Sequence, residues 1–121
     1  MDDDRWTCGV NVVFDLVGSK WKPTILWRLA EGDRRFAELR RAIVPITEKV
    51  LTEQLRQLER DGLVERSDDG GFPRRVVYGL SDDGAELERV LDAVGHWGDA
   101  HADDIRERRA AAPRRSGTPA A

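Results

Sequence analysis

The residues able to do chemistry in this 121-residue chain fall in two short stretches. Between Thr47 and Arg60 the cations Lys49, Arg56 and Arg60 are interleaved with Thr47, Thr52 and Glu53, and just past a glycine-rich segment stand Arg74 and Arg75. Cations gathered on one surface bind phosphate oxygens; hydroxyls, carboxylates and guanidinium groups near one helix end can read the donors and acceptors on base edges. Elsewhere the chemistry is sparse. Cys8 is the one cysteine in the chain, which excludes an intrachain disulfide and any multi-cysteine zinc or iron–sulfur site. His96 and His101 stand five apart, so they do not share a helical face, and neither a metal site nor a cofactor is expected. There is no glycine-rich phosphate loop, nucleophile elbow or paired-carboxylate motif, so no catalytic residues and no enzymatic activity are expected.

The periodicity of apolar residues supplies the elements that hold these groups. Val10, Val13, Phe14 and Val17 have helical spacing, with Gly18 as the stop. A second helix carries Trp21, Ile25, Leu26 and Leu29, with Pro23 in its first turn and Gly32 at its end. Phe36, Leu39 and Ile43 mark a third, ending before Pro45. From Thr47 to Arg60, Leu51, Leu55 and Leu58 form one face of a fourth helix, capped by Thr47 and closed by Asp61-Gly62. At 100° per residue, Lys49, Glu53, Arg56 and Arg60 all lie within about 40° of the opposite side. Two β-like runs, 63–66 and 76–80, flank a polar tip at Asp68–Pro73 and predict a hairpin. Ser81 then opens a last helix through Leu87, Val90, Leu91, Val94, Trp97, His101 and Ile105.

A chain of this length makes one domain. The expected division is a flexible arm over 1–7, a folded domain over 8–109 whose last helix spans about 82–109, and a disordered tail over 110–121. No basic leader followed by an apolar stretch and no membrane-length apolar run occurs, so a cytoplasmic protein that does not bind membranes is expected. The net charge of −3 offers no hint of a nucleic-acid partner. Its distribution does: residues 19–80 hold 13 Lys and Arg against 10 Asp and Glu, whereas residues 81–109 hold 4 against 9. Three helices, a short turn, a fourth helix, a hairpin and a long helix make the order of a winged helix-turn-helix, mainly α with a two-stranded β-wing (α+β). In that fold the helix after the turn enters the major groove of double-stranded DNA and the hairpin flanks it.

The residues also carry a family resemblance. Cys8-Gly9-Val10, Gly18-Ser19-Lys20-Trp21 with Ile25-Leu26, Arg35-Phe36 with Glu38-Leu39, Lys49-Val50-Leu51-Thr52, Leu55-Arg56-Gln57-Leu58-Glu59 with Asp61-Gly62-Leu63-Val64, and Pro73-Arg74-Arg75-Val76-Val77-Tyr78 with Leu80-Ser81 resemble, in order, the HxlR family of bacterial winged-helix transcriptional regulators. The similarity covers residues 8 to 100 and implies a homodimer on an operator with inverted half-sites, with DNA contacts at Thr47, Lys49, Thr52, Glu53 and Arg56. Glu53 departs from the glutamine frequent at its position; a carboxylate only accepts, for example from a cytosine amino group. Val77 replaces the acidic residue often found before the tyrosine.

The physical pattern agrees with self-association. The last helix is apolar over more turns than one small domain covers, so Leu87, Val90, Leu91, Val94, Trp97 and His101, with Val13 of the first helix, are expected to line a symmetric dimer interface. Packing of that helix on the domain's own first helix is the alternative. Cys8 precedes a helix start, where the dipole lowers a thiol pKa, with Asp2, Asp3 and Asp4 opposing. The resemblance implies a response to oxidants or small electrophiles such as quinones and aldehydes; a small buried hydrophobe is the other reading. Trp6, Trp21, Trp27 and Trp97 are expected either to line an aromatic pocket or, for Trp21 above all, to pack in the core. The rival functional classes are a winged-helix protein-interaction module and a regulator that senses a small molecule without the cysteine.

Overall fold

Leucine and isoleucine spacing decides which faces turn inward. In a computed structural model, which describes residues 6–113, the elements run α1 (Gly9–Val17), α2 (Lys22–Ala30), α3 (Phe36–Ala42), α4 (Glu48–Arg60), β1 (Val64–Asp68), β2 (Val76–Leu80) and α5 (Asp82–Ala111). The described residues form two units, one ending at Leu91 and one beginning at Asp92. Asp2–Asp4 and most of the arm and tail expected at the two ends lie outside the described residues.

In the first unit, Ile25 and Leu26 of α2, Leu39 of α3 and Leu51, Leu55 and Leu58 of α4 are fully buried and meet in one core with Val17, Leu29, Ile43, Ile46, Leu63 and Val64. Each such side chain contributes about 1.5–3 kcal/mol by leaving water. Lys22 lies on the same stripe of α2, one turn before Ile25 and Leu26, and is 6% exposed. Its methylenes extend the apolar face, as long cationic side chains can.

Helix α4 ends as its sequence requires. Gly62 takes the left-handed φ of 78°, Gly62 N–H donates to Glu59 O at 3.0 Å and Leu63 N–H reaches back to Leu58 O at 2.9 Å. That pair of bonds, with Leu63 and Leu58 both buried, is a Schellman stop. The wing pairs antiparallel from Val64↔Leu80 to Asp68↔Val76. Its first strand runs two residues beyond the expected Arg66, so Asp68 belongs to β1 and not to the tip. Arg34 and Tyr78 exchange two backbone bonds, 2.9 and 2.8 Å, adding a one-residue third strand from the α2–α3 loop. A Cβ at Gly79 would overlap the Asp33 carboxylate, an exposed side-chain end that would have to swing aside.

The start of α5 is locked to the α4–β1 turn. Ser81 N–H donates to Leu63 O at 3.1 Å, Ser81 Oγ donates to Gly62 O at 2.6 Å, and the same Oγ accepts from Gly84 N–H at 3.0 Å as the N-cap. In the second unit α5 continues to Ala111, two residues past the expected end. There the Trp97 and His101 rings stack with centroids 4.1 Å apart, and His101 Nδ1 lies 2.8 Å from Trp97 O. Three helices, a turn, a fourth helix and a hairpin make the first unit a winged helix-turn-helix, an α+β fold dominated by helix.

Candidate nucleic-acid interface

Helix α4 presents its charged side to solvent because its other side is the core. Thr47 is the N-cap, its Oγ1 accepting from Val50 N–H at 3.2 Å. The Thr52 hydroxyl is turned inward and donates to Glu48 O at 2.8 Å. Both hydroxyls therefore serve the helix, and what Thr52 offers outward is its methyl group, a partner for a thymine methyl. Lys49 is exposed and, among the described residues, has no ion pair.

Arg56 and Arg60 of α4 and Arg74 of the wing are held by carboxylates. Arg56 Nη1 lies 3.1 Å from Glu53 Oε2, while Glu53 Oε1 accepts from Gln57 Nε2 at 3.1 Å. Arg60 forks onto Asp61, Nε to Oδ1 at 3.0 Å and Nη2 to Oδ2 at 3.1 Å, and the bonded carboxylate raises the guanidinium pKa. In the wing, Arg74 Nε donates to Asp68 Oδ2 at 2.9 Å, with Nη2 on the same oxygen. The Arg74 bond, reinforced by the Gly70 N–H, holds the Asp68 carboxyl below the usual carboxylate range, and Arg74 is raised in return. Asp69 closes the tip, accepting from the backbone N–H of Gly71 at 2.9 Å and of Arg75 at 3.2 Å. Among the described residues, neither Arg75 nor, on β1, Arg66 has a side-chain hydrogen bond or ion pair, though the Arg66 charge also helps to lower the Asp68 pKa.

Helix and wing thus each carry the cations expected of them. Sequence reasoning missed the carboxylates opposite them. Asp61 beside Arg60 was visible in the sequence, but the Asp68–Arg74 pair depends on a hairpin register that spacing alone does not fix. Arg66, opposite Tyr78, was missed for the same reason.

The other expected sites sort by exposure. Cys8 is exposed, which removes the buried-hydrophobe reading; its Sγ lies 3.7 Å from Asn11 Oδ1 and gives α1 no side-chain cap. Val13, Leu87 and Leu91, expected at a dimer interface, pack partly buried against the domain's own core. Val90, Val94 and Trp97 (60% exposed), expected at the same interface, are left in solvent, as are Val10 and Phe14 (64%) of α1; Trp6, Trp27, Val44 and Phe72 are exposed elsewhere in the first unit. The tryptophans are used separately: Trp21 packs on the core, Trp6 Nε1 donates to Asp15 Oδ2 at 3.0 Å, and Arg28 sits 4.6 Å over the Trp27 ring. Among the described residues no helix is long and apolar enough to cross a membrane.

Comparison with known proteins decides the lineage. Residues 16–106 match the model of the HxlR-like helix-turn-helix family. The chain belongs to this family. The HTH-type transcriptional regulator YdeP of Bacillus subtilis is 40% identical over 103 residues, 85% of this chain and 80% of that one. Among solved structures, the redox regulator HypR in its reduced form superposes with a TM-score of 0.77 at 35% identity, covering 83% of this chain and 99% of that one. The reduced form of the transcriptional regulator YodB from B. subtilis gives 0.69 at 33%, covering 76% and 91%. This HxlR-type protein is a DNA-binding transcription regulator of winged-helix architecture.

Proposed function

We propose that the chain is a homodimeric, sequence-specific regulator that binds an operator with inverted half-sites. Helix α4 reads the major groove through Lys49, Thr52, Glu53 and Arg56, with Thr47 and Arg60 at its ends, and Arg74 and Arg75 of the wing grip the backbone. One observation carries this: the face of α4 opposite Leu51, Leu55 and Leu58 is solvent-exposed and bears three cations, between a helix-turn and a cation-bearing wing. A second copy covers the exposed apolar side chains of α1 and α5: Val10, Phe14 and Val90 in the first unit, Val94 and Trp97 in the second. The folded part over 8–109 supplies both functions.

Sensing is assigned to Cys8. The thiol is exposed beside a helix start, and one structural relative is named a redox regulator. With one cysteine per chain, the switch is an adduct with an electrophile, a mixed disulfide with a small thiol or a disulfide between subunits. Two thiols reduce one peroxide to two waters and form one bond.

A gel shift with DNA from upstream of the chain's own gene tests the reading. A discrete complex at about 100 mM salt that survives excess random DNA is expected. If the chain binds no duplex, it is an interaction module instead; if it binds all alike, the sequence-specific reading falls. Cys8→Ser abolishes any effect of oxidants on that complex.

A further inference from the structure

A second group of cations lies at the end of α3 and the turn that follows. Arg40 and Arg41, in the last turn of α3, line a shallow, open concavity of about 270 Å³ with Val44, Pro45 and Ile46. Both arginines are exposed and, among the described residues, neither guanidinium has a hydrogen bond or ion pair. This sets them apart from Arg56, Arg60 and Arg74, each held by a carboxylate. The floor is rigid on one side, since Ile46 is buried in the core and its N–H donates to Ile43 O at 2.8 Å. Thr47, the N-cap of α4, follows directly.

The place of this seat follows from lengths. Helix α4 has 13 residues, about 20 Å at 1.5 Å per residue, against a major groove about 12 Å wide. A helix entering by its N-terminal half therefore sets the segment just before its N-cap against one phosphate ridge. The wing, which follows the other end of α4, serves a different stretch of backbone. We infer that Arg40, Arg41 and the Val44–Ile46 turn form a seat for a DNA backbone phosphate, fixing how deeply and at what angle α4 enters the groove. Guanidinium groups suit it because they bind phosphate bidentately. This rests on the DNA-binding reading above.

The test is fluorescence anisotropy with a random-sequence 30-base-pair duplex and, in parallel, the upstream fragment, titrated from about 50 to 200 mM salt. Arg40→Ala/Arg41→Ala should weaken binding to both DNAs and flatten the slope of log K against log salt by about 0.9 for each phosphate that is no longer neutralised. The preference between the two DNAs should persist. Arg40→Lys/Arg41→Lys, keeping the charge, should recover most of the slope, which a folding defect would not allow. If wild type binds both duplexes and the alanine variant, folded by circular dichroism, keeps affinity and slope, the seat is overturned while the DNA reading stands. If wild type binds neither duplex, the DNA reading itself falls and the seat with it.

Discussion

Three glycines of α5, Gly84, Gly95 and Gly98, look alike in sequence, but only one is pressed against backbone. A Cβ at Gly84 would sit 3.0 Å from the Leu63 carbonyl carbon and far closer to its oxygen than van der Waals contact allows, whereas at Gly95 and Gly98 it meets nothing within 4 Å. Gly84→Ala must therefore lift the first turn of α5 off the α4–β1 turn. Forced shifts of this kind cost about 1–3 kcal/mol. The bonds Ser81 N–H to Leu63 O and Ser81 Oγ to Gly62 O go with the displaced turn, about 1 kcal/mol each. Alanine's better helix propensity returns about 1 kcal/mol. The net loss is about 2–4 kcal/mol, which at about 4–8 °C per kcal/mol lowers the melting temperature by roughly 8–30 °C. Thermal unfolding followed by far-UV circular dichroism reads this, with Gly9→Ala as control, since a Cβ there also meets nothing within 4 Å. Melting of Gly84→Ala within about 2 °C of wild type would refute the claim that α5 is seated by backbone contact at Leu63.

Other substitutions separate the remaining assignments. Arg56→Ala should relax base preference at one operator position by about 1–3 kcal/mol, seen in competition against single-base variants. Arg74→Ala should weaken all DNAs alike and lower the salt slope by about one unit in an anisotropy titration. Asp68 has a lowered pKa in the fold, so its contribution to the wing is complete above the unfolded carboxyl value of about 3.9 and is lost as pH falls through the lower folded value. The protection factor of the Gly70 amide, its exchange rate set against the intrinsic rate at the same pH, should fall only in that acid window, and a fall between pH 7 and 5 would contradict the pairing. Val94→Asp/Trp97→Ala should give monomers by sedimentation with helix content retained; an unchanged dimer would move the interface elsewhere.

Much of the fold was legible because its signals are local. Leu51, Leu55 and Leu58 announce the buried face of α4, and Thr47 and Gly62 its two ends, since capping needs only a side-chain oxygen or a left-handed φ at one position. What escaped was set by packing between distant segments. Nothing near Arg34 marks it as a strand partner of Tyr78, and nothing near Gly84 announces the Leu63 carbonyl. The expected dimer interface shows the same divide. Val13, Leu87 and Leu91 fit the apolar stripe as well as Val10, Phe14, Val90 and Val94 do, and periodicity cannot tell which belong to the chain's own core. Cations were readable residue by residue, but apart from Asp61, which adjoins Arg60, their carboxylate partners appeared only with the hairpin register and helix rotamers in place.

Those partners bear on how specificity arises. On the proposed contacts, Lys49, Arg75 and the α3 pair meet DNA free, while Arg56, Arg60 and Arg74 must each exchange a carboxylate for a phosphate or a base. The exchange is nearly neutral in Coulomb terms, because one oxyanion replaces another at similar distance, and it releases fewer condensed counterions than a bare cation does. Arg56 and its partner Glu53 make the point most directly. A wrong base pair offers no acceptor better than the carboxylate already in place, so the side chain stays home and contributes nothing. A guanine's O6 and N7, taken bidentately, can outcompete the single bond to Glu53 and free that carboxylate to accept from a cytosine amino group. Sequence then decides whether the pair opens. Glu53→Gln, which weakens the internal pair, should raise affinity for random DNA more than for the operator and so narrow their ratio, measurable in the same titrations. A ratio that widens or holds would show that the Glu53–Arg56 pair plays no part in discrimination.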